Sequence, residues 1–164
     1  IFILLFQLSI IGSLEYHKSN DEFIIFQYPK QTILAKKTNN SLTIFSNEKD
    51  IADNYVLKNY LQANFGQIGS VTKLKNILQI NDTKILVIDK GGIYSIPIKP
   101  NIVLLTQSPK INLERLIGEL NPAIIIADGS NYKYLVENWQ QTCLQKNIPF
   151  HSTSEKGYYK IELN

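Results

Sequence analysis

Pro122-Ala-Ile-Ile-Ile-Ala-Asp-Gly-Ser-Asn131 holds five consecutive apolar residues, Ala123 to Ala127, that stop at a polar turn. A segment apolar at every position suits a strand buried on both faces, as in the sheet of an α/β fold. Upstream of it, Leu113, Leu116, Ile117 and Leu120 form one helical face after Ser108-Pro109, where proline suits a first turn, and Pro122 ends that helix. Earlier still, Ile85-Leu-Val-Ile88 and Ile102-Val-Leu-Leu105 read as buried strands, with a turn at Lys90-Gly91-Gly92 and a further strand over Ile93 to Ile96. Downstream, Leu135, Val136, Trp139 and Cys143 mark a second helix running to about Lys146. Strands over Pro149 to Ser152 and Tyr158 to Leu163, joined across Gly157, close the domain. This order of strands and helices predicts an α/β layered sheet with flanking helices.

The preceding half reads differently. Phe23-Ile-Ile-Phe26, Thr32-Ile-Leu-Ala35 and Leu42-Thr-Ile-Phe45 are short strands separated by turn residues, an antiparallel meander. Ile51, Tyr55, Val56, Tyr60 and Leu61 then recur at helical spacing between Asn47, a candidate N-cap, and the stop at Gly66. Residues 67–83 mix two periods and read as strand and loop.

The chain contains no methionine, opens on an uncharged apolar run, residues 1–14, and reads as a piece of a longer polypeptide. At about 1.5 Å per residue the run reaches roughly 21 Å, short of the roughly 30 Å hydrocarbon core, and so reads as the end of a transmembrane helix. A signal-peptide core is the competing reading, without a basic n-region or a small-residue cleavage site. Residues 15–22 form a linker with more acid than base, which places the domain beyond it outside the cytoplasm. Residues 23–164 suit one domain.

The net charge of +3 rests almost wholly on lysine, Arg115 being the sole arginine. That excess does not make a dedicated nucleic-acid-binding surface, since phosphate affinity grows with clustered cations. Lys36-Lys37, Lys73 with Lys75, and Lys156 with Lys160 are the nearest approaches to clusters and read as solvated faces. One cysteine, Cys143, excludes an intrachain disulfide and a thiolate cage, and its place on an apolar stripe reads as core.

Polar loops after α/β strands are where ligands bind, so Thr106-Gln107-Ser108 and Asp128-Gly129-Ser130-Asn131 are the first places for chemistry. Helix amides after the second loop suit an anion. The plainer alternative is that Ser130 or Asn131 caps the helix and Gly129 makes the turn. A Ser130 nucleophile with His151 as base and Asp128 or Asp89 as orienter lacks the second glycine of a nucleophile elbow. Asp89, Asp128 and His151 as ligands of one metal ion form a further alternative. With two histidines, His17 and His151, the chain cannot supply the histidine cluster of a dinuclear hydrolase.

Taken together, Leu104-Leu-Thr-Gln-Ser-Pro-Lys-Ile-Asn112, Pro122 to Asn131 and Thr153-Ser-Glu-Lys-Gly157 resemble the C-terminal soluble domain of the ComEC family of DNA-uptake membrane proteins. The likeness is to the abbreviated, Bacteroidetes-type form. The Pro-strand segment is similar to the family's Pro-strand-Ser-x-Gly-x-Asn, and the last to its Thr-x-x-x-Gly turn. Gln107 and Ser108 stand where active-looking relatives carry His-His-Gly-Ser, and Phe26-Gln-Tyr-Pro-Lys-Gln31 replaces an Asp-x-Gly-x-Gly turn.

The resemblance implies an abbreviated, degenerate metallo-β-lactamase-like domain with no catalytic residue, cofactor or metal. It also implies an inner-membrane protein whose soluble domain lies on the extracytoplasmic side, beside a channel for single-stranded DNA during natural transformation. Its partners are then that DNA, the membrane channel portion of the same polypeptide and other competence proteins. Contacts to DNA fall to Gln107, Ser108, Lys110, Asn112, Ser130, Asn131 and Lys133, which offer hydroxyls, amides and cations to phosphate oxygens. The rivals are a hydrolase with an atypical site and a structural domain that docks a partner through Tyr132, Tyr134, Tyr158 and Tyr159.

Overall fold

The computed structural model describes residues 2–19, 21–48, 51–95 and 97–163. The expected layered α/β arrangement is present, and its strands are divided between two five-stranded sheets. The first, in the order β10-β1-β2-β3-β4, contains β1 (Asp21–Ile25), β2 (Leu34–Thr38), β3 (Ser41–Phe45), β4 (Gln67–Thr72) and β10 (Tyr159–Leu163). The second, β5-β6-β7-β8-β9, contains β5 (Ile77–Ile80), β6 (Thr83–Ile88), β7 (Ile102–Leu105), β8 (Ile124–Ala127) and β9 (Phe150–Ser152). Strands β1 to β3 are the expected antiparallel meander, whereas β6 to β9 run parallel.

Alternation of side chains along each strand sorts the apolar residues into three cores. Phe23, Ile25 and Leu34 face Leu78, Ile85, Val87, Leu104 and Ile126, filling the space between the sheets. Ile24, Ala35, Leu42 and Ile44 point the other way, onto a 3-10 turn (Ile51–Asp53) and helix α2 (Tyr55–Ala63). Leu86, Ile88, Val103, Leu105, Ile125 and Ala127 pack under helices α3 (Leu113–Leu120) and α4 (Lys133–Gln145). The stacking is helix, sheet, sheet, helix. Buried Cys143 belongs to the core under α4, where burial pushes its thiol up to about 11.

Several boundaries differ from the sequence reading for identifiable reasons. Residues 93–95 are not a strand, because β6 is flanked by β5 and β7 and has no free edge; Tyr94 instead packs against the core beneath α3 and α4. Pro109 does not open α3: Asn112 does, its Oδ1 accepting the N–H of Arg115 at 2.9 Å. Asn54 rather than Asn47 caps α2, through the N–H of Val56. The two closing strands do not pair with each other. A one-turn helix α5 (Thr153–Lys156) carries the chain from β9 in the second sheet to β10 in the first.

The opening apolar run is helical, α1 (Phe2–Ser19), and Phe2 to Gly12 are exposed. Among the described residues no helix is long and apolar enough to cross a membrane. The stretch read as a linker, residues 15–22, holds the end of α1 and the first two residues of β1.

Candidate nucleic-acid interface

The parallel strands β6, β7, β8 and β9 deliver Asp89, Thr106, Asp128 and Thr153 to one end of the second sheet. There the loops after β7 and β8 are fastened to each other by side chains. The Ser130 hydroxyl donates to Asp128 Oδ1 at 2.5 Å and accepts the N–H of Gln107 at 2.7 Å. Asn131 Oδ1 accepts the N–H of Ser108 at 2.8 Å, and its Nδ2 donates to the Leu105 and Asp128 carbonyls. Ser108 Oγ in turn accepts the N–H of Tyr132 at 2.8 Å. These bonds hold Gln107 and Ser108 in consecutive left-handed conformations, φ 57° and 58°. Such backbone is costly for residues with side chains and persists where its surroundings over-determine it.

A third loop, between β1 and β2, docks on the same place. The backbone N–H of Lys30 donates to the Gly129 carbonyl at 3.0 Å, and the Thr153 hydroxyl donates to Gln27 Oε1 at 2.5 Å. A β-carbon on Gly129 would lie 2.5 Å from the Tyr28 carbonyl oxygen, so close approach requires the glycine here. The segment Phe26 to Gln31 thus meets Gly129 and Thr153 in space, although it lies a hundred residues before them in the chain.

Asp128 sits at the centre, 2% exposed. Its Oδ1 accepts from the N–H and hydroxyl of Ser130 and from Asn131 Nδ2, while Oδ2 finds no hydrogen-bond donor among the described residues. Burial pushes the carboxyl up to about 6 against the opposing pull of the Ser130 and Thr32 hydroxyls.

Two clefts open beside this knot, and Gln107 lines both. One, of about 470 Å³, is bounded by Lys30, Gln107, Ser108, Ser130 and Tyr132. The other, of about 290 Å³, includes Lys73, Lys75, Asn76, Asp89, Thr106 and Gln107 in its lining. Lys58, Lys133, Lys146 and Lys160 are ion-paired elsewhere on the surface; Lys30, Lys73 and Lys75 are not, among the described residues. Their charge is available to an anion.

Of the residues read from the sequence, Gln107, Ser108, Ser130 and Asn131 are brought together, and the first three line a cleft. Asn112 is engaged as the cap of α3, Lys133 lies 3.8 Å from Glu137, and neither they nor Lys110 lines either cleft. Neither Ser130 nor Asn131 caps α4; Tyr132 occupies that position because both side chains are committed to the neighbouring loop. The Ser130 and His151 pair does not form: His151 Nε2 donates to the Gly157 carbonyl at 3.0 Å and its ring meets Tyr159 edge-on. Asp89, Asp128 and His151 likewise do not gather into a metal-binding group among the described residues. Lys30, Lys73, Lys75 and Tyr132 reach the clefts through tertiary structure. Lys73 with Lys75, read from the sequence as a solvated face, line a cleft instead, and nothing local to Lys30 signals that another loop stands opposite it.

The model of the ComEC C-terminal domain matches residues 23–163. The chain belongs to the ComEC C-terminal domain family. That membership ties it to competence and DNA uptake, the work of a family of membrane-associated proteins. No curated protein and no solved structure matches the chain.

Proposed function

We propose that this ComEC C-terminal domain is the extracytoplasmic, non-catalytic domain of an inner-membrane channel for single-stranded DNA, in which it contacts the strand without cutting it. The four-layer stacking, with polar loops from both sheets meeting at one end, supports a metallo-β-lactamase-like ancestry. One observation carries the non-catalytic part. The groups a hydrolase would use are bound internally, Ser130 to Asp128 and His151 to the Gly157 carbonyl. A nucleophile and base have to meet each other and the substrate.

The contact part rests on the two clefts that share Gln107 and on the unpaired lysines beside them. Gln107, Ser108 and Ser130 form the floor of this interface, with Asn131 holding it in shape. Lys110, Asn112 and Lys133 belong at most to its periphery. The exposed helix α1, whose last residue is separated from β1 by Asn20 alone, suits the end of a membrane segment leading into the domain.

The test is titration of a labelled single-stranded oligonucleotide with the 164-residue chain in non-ionic detergent at low salt, beside a nuclease assay with zinc and with manganese. Salt-sensitive micromolar binding without cleavage is the expected result. Chelator-sensitive cleavage overturns the non-catalytic reading, and absence of binding at high micromolar protein overturns the contact reading.

A further inference from the structure

Tyr132 and Tyr134 belong to none of the three apolar cores. They are 64% and 60% exposed, and their rings are stacked, 11° from parallel with centroids 6.0 Å apart. The bond from the Tyr132 N–H to Ser108 Oγ fixes its backbone, and Tyr132 stands at the wall of the cleft that also contains Lys30. Two aromatic faces left in water beside an unpaired cation and a second lysine-lined cleft are the ingredients of single-strand binding, in which bases stack and cations follow the backbone.

We infer that Tyr132 is a stacking platform for a nucleobase of single-stranded nucleic acid, whose phosphates run from Lys30 across Gln107 toward Lys73 and Lys75. This assignment rests on the DNA-contact reading above and names its chemistry. Tyr134 stacks offset against Tyr132, which stays 64% exposed to an incoming base. In the second cleft Asp89 opposes two lysines and is tied through Oδ1 to the N–H of Gly91 at 2.9 Å, so the lining remains net basic. Base stacking accepts any sequence because every base has a π-face, which suits a domain that meets DNA of no fixed sequence.

The experiment compares fluorescein-labelled oligo-dT with an abasic oligomer of equal length, using the 164-residue chain and its Y132A, Y132W and K73Q/K75Q variants. Melting temperatures confirm that each is folded. Y132A weakens oligo-dT binding by about tenfold and leaves the abasic oligomer unchanged, while Y132W keeps wild-type affinity. K73Q/K75Q weakens both oligomers and reduces the slope of log affinity against log salt by about 1.4. If wild type binds both oligomers equally, or Y132A binds oligo-dT as wild type does, the stacking assignment falls while DNA contact stands. Wild-type protein that binds neither oligomer removes both.

Discussion

Asn131 and Ser108 are joined across two loops: the Asn131 amide oxygen accepts the Ser108 N–H at 2.8 Å, while its nitrogen donates to the Leu105 carbonyl at 2.6 Å. One side chain therefore closes the end of β7 onto the start of α4 and keeps Ser108 left-handed. Asn131→Ala takes the acceptor from the half-buried Ser108 N–H and leaves the Leu105 carbonyl with the Asp128 N–H alone, and is expected to cost about 1–2 kcal/mol, read as a lower urea midpoint. Asn131→Asp keeps the acceptor, loses the donors and sets a second carboxylate beside Asp128, so it is expected to be worse at pH 8 than at pH 5. Equal stability of N131A and wild type would show that the loops hold without this bridge.

Asp128 gives the domain a pH dependence of definite sign. Its folded carboxyl titrates near 6, above the ordinary aspartate value, so the native state holds the proton more tightly than the unfolded chain. Its contribution to stability is greatest below about pH 4, declines as pH rises from about 4 to 6 and is level above. The decline is about 3 kcal/mol at most. Asp128→Asn keeps an acceptor for Ser130 and removes the titration. Urea midpoints between pH 4 and pH 7 should fall for wild type relative to this variant; parallel profiles would contradict the buried carboxyl.

Gly129→Ala tests the seam between the sheets. The new methyl meets the Tyr28 carbonyl oxygen at 2.5 Å and Gln27 Oε1 at 2.6 Å, and the carbonyl is backbone that cannot swing away. A loss of about 1–3 kcal/mol is expected, as for other overpacked sites. Displacement of Lys30 should weaken oligonucleotide binding together with stability. Full retention of both would place the β1–β2 loop away from Gly129.

His151→Ala removes the bond to the Gly157 carbonyl and the edge contact with Tyr159. A fall of about 1 kcal/mol in stability is expected, with oligonucleotide affinity unchanged. A hydrolase that used His151 as a base would lose its activity outright in the same variant, so assaying stability and cleavage on one preparation separates the roles.

The second half of the chain was legible because its strands are buried on both faces. Ile85 to Ile88, Ile102 to Leu105 and Ile124 to Ala127 are apolar without interruption, and a parallel sheet under helices is what such segments form. Division into two sheets was not legible, because alternation shows which residues face in and not which sheet receives them. Phe23 and Ile24 look alike in sequence and enter different cores. At the candidate site, local signals located the loops and misassigned their side chains. Ser130 and Asn131 have the chemistry of helix caps, and only the opposing Gln107 and Ser108 show why they serve elsewhere. The tyrosine pair was visible as composition; its stacking beside Lys30 depends on a loop a hundred residues earlier.

Strand β10 lies against β1, pairing Tyr159 with Ile25 and Leu163 with Asp21. A strand made early therefore waits for one made late. While residues 26–158 are being synthesised, the backbone of β1 has an open edge toward the place β10 will fill, and the core between the sheets lacks Tyr159, Ile161 and Leu163 along one side. An emerging chain of this kind cannot lock its first sheet as it appears, and truncation before Tyr159 removes a structural strand from the side of the domain made first.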